Sequence, residues 1–123
     1  MICFVYNTNK KLEGIPNKYP ELIQYEMPFR IIVNGRLFFE DEYFPVYEFL
    51  WQIREWKSGE DFYYNSIETD DNPILSFQIV PDEKPFYRII SVWQKFYCED
   101  LFSEEELSKA IQALEEGIKC HYD

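Results

Sequence analysis

The stretch "FRIIVNGRLFFED" constrains the fold more than any other. Asn34-Gly35 sits between two apolar runs, and both central positions of a two-residue hairpin turn need positive φ, which these two residues tolerate. Arms of Phe29 to Val33 and Arg36 to Glu40 therefore pair as adjacent antiparallel strands. The chain has 123 residues, enough for one domain (1–123) to bury its own core. Hydrophobic residues make up 46% and aromatics 20%, which excludes a disordered chain.

Around that hairpin the remaining elements can be placed. Ile2 to Tyr6 opens the chain as a strand. Residues 7 to 28 hold Gly14, Pro16, Pro20 and Pro28, which break regular pairing and imply a loop with a short strand near Glu21 to Glu26. "FPVYEFLWQIREWKSG" reads as a helix over about 45–57. Pro45 suits its first turn, Val46, Phe49, Leu50, Ile53 and Trp56 share one face, and Gly59 follows its end. Trp51 lies off that face and either packs under a neighbouring loop or stands out as an anchor for a partner. "DFYYNSIE", "ILSFQIV" and "FYRIISVWQKFY" are strand-like runs separated by "TDDNP" and "PDEKP", whose Asp, Asn and Pro form turns. "SEEELSKAIQALEEGIK" opens with Ser103 and Glu106 as a capping box and predicts a C-terminal helix over about 103–119. The order implies an α+β fold: a meander-like antiparallel sheet with one inserted and one terminal helix.

Charge narrows the partners. Twelve Lys and Arg against 23 Asp and Glu give a net charge of −11. Residues 1–39 carry +2, residues 40–72 carry −8 and residues 73–123 carry −5. Such a chain repels nucleic-acid phosphates and anionic membrane surfaces, so a partner for its charge is basic. The middle third concentrates the excess. "SGEDFYYNSIETDDN" alone holds Glu60, Asp61, Glu68, Asp70 and Asp71 with no basic residue. On its strand Phe62, Tyr64 and Ser66 face one way, and Tyr63, Asn65 and Ile67 the other.

Few residues point to chemistry. Cys3, Cys98 and Cys120 are odd in number, widely spaced and without a Cys-x-x-Cys pair, which implies free thiols in a reducing compartment. His121 is the only histidine, and it stands beside Cys120 near the chain end, a poor place to orient a catalytic dyad. "ETDDN" lacks the glycine and the spaced ligands of a calcium loop. Adjacent carboxylates such as Glu40, Asp41 and Glu42, or Glu60 and Asp61, alternate across a strand, which is wrong for a shared substrate. We expect no enzyme activity, no metal and no cofactor. The apolar run at the N-terminus is too short to span a membrane, and its lysines follow the run rather than precede it, unlike a signal peptide.

The succession "FEDEYFPVYEFLWQIREW", "GEDFYYNS", "NPILSFQI" and "ISVWQ" resembles small acidic bacterial immunity proteins of polymorphic and contact-dependent toxin systems. The resemblance covers roughly Phe29 to Lys119. It implies a cytoplasmic inhibitor that binds the C-terminal domain of a cognate toxin, often a basic nuclease. The partner-binding face expected from it comprises Glu40, Asp41, Glu42, Glu60, Asp61, Glu68, Asp70 and Asp71, with Trp51, Tyr63 and Tyr64 as anchors. A second reading is a nucleic-acid mimic or acidic adaptor that occupies a basic host protein, and a third is a small enzyme that uses one of these carboxylates.

Overall fold

A computed structural model describes residues 1–7, 18–19, 21–81 and 86–119. It is α+β, as the element order implies, with two antiparallel sheets rather than one. The first sheet has the order β1-β2-β3, from Ile2–Tyr6, Met27–Val33 and Arg36–Phe44. The second has the order β4-β5-β6-β7, from Phe62–Tyr64, Leu75–Ile79, Phe86–Ser91 and Leu101–Ser103. Each sheet is a meander in chain order. Helix α2 (Val46–Ile53) links them, α1 (Glu21–Gln24) packs on α2, and α3 (Glu104–Lys119) packs on β1 and β7.

The Asn-Gly hairpin forms as expected: Asn34 has φ 50 and Gly35 φ 79. Asn34 also ties distant segments to the turn. Its Oδ1 accepts from the N-terminal amine, and its Nδ2 donates to Asp100 at 2.7 Å. Strand β3 runs four residues beyond the expected arm and carries two irregularities. Between the pairs Ile31↔Phe39 and Ile32↔Leu37, Phe38 is an extra residue. This bulge lets two successive residues, Phe38 and Phe39, both be buried.

Several expectations change in detail. The segment near Glu21 to Glu26 is a single helical turn, not a strand; Leu22 N–H bonds Lys18 C=O at 3.1 Å and carries its side chain into the core. Helix α2 stops at Ile53, short of 57. Glu55 and Trp56 donate back three residues, to Gln52 and Ile53, and this tightening releases the chain from the helix. Trp56 is then placed against Phe62, Phe77 and Tyr87, and its Nε1 donates to the Glu60 carbonyl at 2.7 Å. Pro45 sits at the cap of α2 rather than inside its first turn. Strand β7 had no sequence signal. The C-terminal helix starts with the expected box: Glu106 N–H donates to Ser103 Oγ at 3.1 Å, and Ser103 N–H donates to Glu106 Oε1 at 3.3 Å. Gly14, Pro16, Pro20, Cys120 and His121, and most of the "PDEKP" turn, lie outside the described residues.

One aromatic cluster joins the two sheets. Phe29 stacks on Phe44 at 4.4 Å, and Phe44 meets Tyr64 edge-on at 5.5 Å. Phe49 from α2 touches Phe4, Phe29, Phe44, Phe62 and Tyr64, so it contacts β1, β2, β3 and β4 at once. Such pairs add about 0.5–1.5 kcal/mol each beyond the area they bury.

Gly35→Ala should lower stability by about 1–2 kcal/mol, because a Cβ is strained at this positive φ whatever space surrounds it. Urea denaturation checks this: the midpoint should fall with an unchanged slope.

Candidate functional site

The middle third of the chain is organised by a residue that sequence reasoning passed over. Glu48 lies on α2 with 0% exposure. Its carboxylate accepts from Tyr64 Oη at 2.7 Å, from Tyr19 Oη at 2.7 Å and from Ile67 N–H at 3.4 Å. A buried carboxylate needs donors to replace its lost water, and here two phenols and a backbone amide supply them. Burial first, then the bond to Glu48, push the Tyr19 phenol up to about 12; the same two causes push Tyr64 higher still. Both phenols therefore stay protonated donors. Because acidic residues are abundant here and Glu48 follows Tyr47 in an apolar helix, only its position one turn before Gln52 hinted at a shared role.

One turn further along α2, Gln52 continues the attachment. Its Nε2 donates to Asn65 C=O at 2.6 Å, and its Oε1 accepts from Asn65 N–H at 3.1 Å. The amide occupies Asn65 as a neighbouring strand would. Asn72 does the same for Ser66, accepting its N–H at 2.9 Å and donating to its C=O at 3.0 Å. The loop after β4 is thus held by two side-chain amides and one carboxylate.

Strand β4 lies at the edge of its sheet. Phe62 and Tyr64 point into the core and Tyr63 points out, the alternation expected from sequence. This overturns Tyr64 as an anchor for a partner: it is 0% exposed and belongs to the Glu48 network. Tyr63 is 46% exposed and Trp51 37% exposed. Trp51 is thus partly covered and keeps an exposed part beside Tyr63.

These two rings border a groove of about 310 Å³ between α2 and β4, lined also by Glu55, Trp56, Glu60 and Asp61. Among the described residues no basic side chain lines it; Arg54 faces a separate depression beside α3. Asp61 is engaged inside the fold. Its Oδ1 accepts from Ile79 N–H at 2.8 Å and its Oδ2 from Tyr63 Oη at 2.9 Å. That bond, ahead of burial, raises the Tyr63 phenol and orients the ring. Glu55 and Glu60 make no ion pair among the described residues. The backbone contributes too. The Tyr64 carbonyl accepts from Ile74 N–H on the β5 side at 2.9 Å, whereas Asn65 bonds α2, so strand alternation turns the N–H and C=O of Tyr63 toward the groove.

The other expected residues disperse. Glu40 pairs with Arg30 across β2 and β3 at 2.7 Å, which removes it from the free acidic set. Asp41 accepts from Tyr43 N–H at 3.0 Å. Glu42 borders a depression that also contains Arg30. Asp70 and Asp71 are exposed on the loop after β4. Glu68 lies near Glu26, Glu48 and Asp41, and burial followed by those carboxylates raises it above the usual carboxylate range. The acids thus form a groove set (Glu55, Glu60, Asp61), a crowded set (Glu26, Asp41, Glu68) and scattered members. Among the described residues no group of His, Cys, Asp and Glu is arranged to hold a metal, and no helix is long and apolar enough to cross a membrane. Cys3 and Cys98 are free thiols; burial raises Cys98.

A family model described as a domain of unknown function (DUF7878) matches residues 2–121, and the chain belongs to that family. No curated protein and no solved structure matches it.

Tyr64→Phe should cost about 1.5–3 kcal/mol, because it takes one donor from a buried carboxylate. Tyr63→Phe, at an exposed ring, should cost far less in the same thermal or denaturant unfolding assay. Glu68 gives a pH signature of opposite sign to a paired carboxylate. Its folded pKa is raised, so the stability it contributes is present below its unfolded value of about 4.3 and is lost as pH rises through the folded value. Glu68→Gln should therefore raise the melting temperature at pH 7 and flatten its decline above about pH 4.3, while leaving it little changed below.

Proposed function

We propose that this chain is an immunity-type inhibitor: it binds and neutralises a cognate basic toxin domain in the cytoplasm and catalyses no reaction itself. The observation that carries this reading is the groove between α2 and β4. There two exposed aromatic rings stand beside carboxylates that, among the described residues, have no ion pair and no basic side chain with them in the lining. Aromatic residues that lose their water on docking supply most of an interface's affinity, and surrounding charge of one sign speeds encounter with a partner of the other. A nuclease domain fits this chemistry, because the Lys and Arg that hold its phosphate substrate are the groups an acidic face covers. The sequence resemblance supports the toxin-neutralising form of the reading, and the chain's net charge of −11 supports the sign of the partner.

Co-expression tests it. The C-terminal domain of a large protein encoded beside this gene should be toxic alone, harmless with this chain and recovered bound to it. Trp51→Ala should weaken that complex by about 2 kcal/mol, or about thirtyfold, mainly through faster dissociation. Glu55→Lys with Glu60→Lys should instead slow association and flatten its salt dependence. A neighbouring toxic domain that this chain neither binds nor neutralises would sink the proposal. Competition with DNA for several unrelated DNA-binding proteins would replace it with the mimic.

A further inference from the structure

We propose that the groove between α2 and β4 is an arginine site: it receives a guanidinium carried on a partner segment that passes the edge of β4. The inference rests on the binding-protein reading above, not on the partner's being a toxin. Three features of the lining point to this group. The half-exposed rings of Trp51 and Tyr63 line the groove, and an aromatic ring takes a guanidinium better than an ammonium. Glu55 and Glu60 are carboxylates with no ion pair among the described residues, and a planar fork of N–H donors can engage a carboxylate with two bonds. The Tyr63 carbonyl, turned toward the groove by strand alternation, is a further acceptor for a group with five donors and no acceptor.

The lining is also held in place before any ligand arrives. Asp61 fixes the Tyr63 hydroxyl, Trp56 is tied to the Glu60 carbonyl, and Gln52 pins the end of β4 to α2. A site whose rings and backbone are already positioned loses little freedom on binding. Elsewhere this chain pairs the same two chemistries internally. The Arg36 guanidinium carbon lies 3.9 Å from the centre of the Phe96 ring, and that of Arg88 lies 5.1 Å from the centre of Tyr97.

The test uses the full chain and three short capped peptides, identical except for a central arginine, lysine or citrulline. Two-dimensional NMR follows the indole N–H signals of Trp51 and Trp56 and the backbone amide of Tyr63 during titration. The arginine peptide should shift these signals saturably and bind at least about threefold tighter than the lysine peptide, whose ammonium is a point charge without the fork. Citrulline keeps the shape without the charge and should give no saturable shift. Trp51→Phe keeps an apolar ring and should bind more weakly, whereas Glu55→Gln with Glu60→Gln should lose about tenfold or more, with spectra otherwise unchanged. Equal binding of arginine and lysine, or shifts spread over Asp70, Asp71 and the outer face of α3, would overturn the site and leave diffuse counterion attraction. The outcomes separate from those of the toxin test. Peptides that bind while the neighbouring toxic domain does not would overturn the toxin reading alone. A toxin held in full while the peptides stay silent would overturn the arginine site alone.

Discussion

Burial of the Glu48 carboxylate is the interaction on which the acidic third of this chain depends. Helix α2 leaves the first sheet and must deliver the chain to the second, and its end is short. One buried side chain joins α2 to Tyr19, to β4 through Tyr64 and to the following loop through Ile67. Hydroxyl and amide donors satisfy it without a cation, so no basic residue is drawn into a region that already has few. Gln52 repeats the attachment one turn on. Together they set how far α2 stands from β4, and the groove is the space that separation leaves.

This arrangement explains which predictions from sequence held and which did not. Patterns of local origin were legible. The Asn-Gly turn, the Ser103–Glu106 box and the alternation of Phe62, Tyr63 and Tyr64 each follow from backbone geometry within a few residues. Boundaries set by tertiary packing were not. Trp56 continues the helical spacing in sequence, yet the core of the second sheet takes its ring, and α2 ends three residues earlier. The division into two sheets depends on the aromatic cluster around Phe49, whose contacts span segments from Phe4 to Tyr64. Strand β7 forms from residues too few to show a period. Glu48 was hidden for a different reason: a carboxylate in an acidic segment looks like solvated surface until its partners are known.

The candidate site shows the same division. Trp51 and Tyr63 reach the groove from their places on α2 and β4, and Glu60 and Asp61 join them from the segment between, which carries no period to read. Tyr64, expected as an anchor beside Tyr63, turns into the core instead because strand alternation separates the two. The pairing of Glu40 with Arg30 becomes visible only in the register of β2 against β3.

Electrostatics gives the groove its direction. Among the described residues the ion pairs are Arg30–Glu40 and Lys109–Glu105, both on the surface and worth about 0–1 kcal/mol each. A net charge of −11 leaves the folded chain under self-repulsion. Glu68 shows the effect locally, since neighbouring carboxylates add to burial in raising its pKa. The repulsion is relieved by approach of positive charge from outside. Relief would be greatest where carboxylates have no ion pair among the described residues, as at Glu55 and Glu60 beside Trp51. At Asp41, Asp61 and Glu40 internal donors already meet the charge, so the same cation gains less there. A basic partner drawn in by the whole field thereby meets, at the groove between α2 and β4, carboxylates and aromatic rings together.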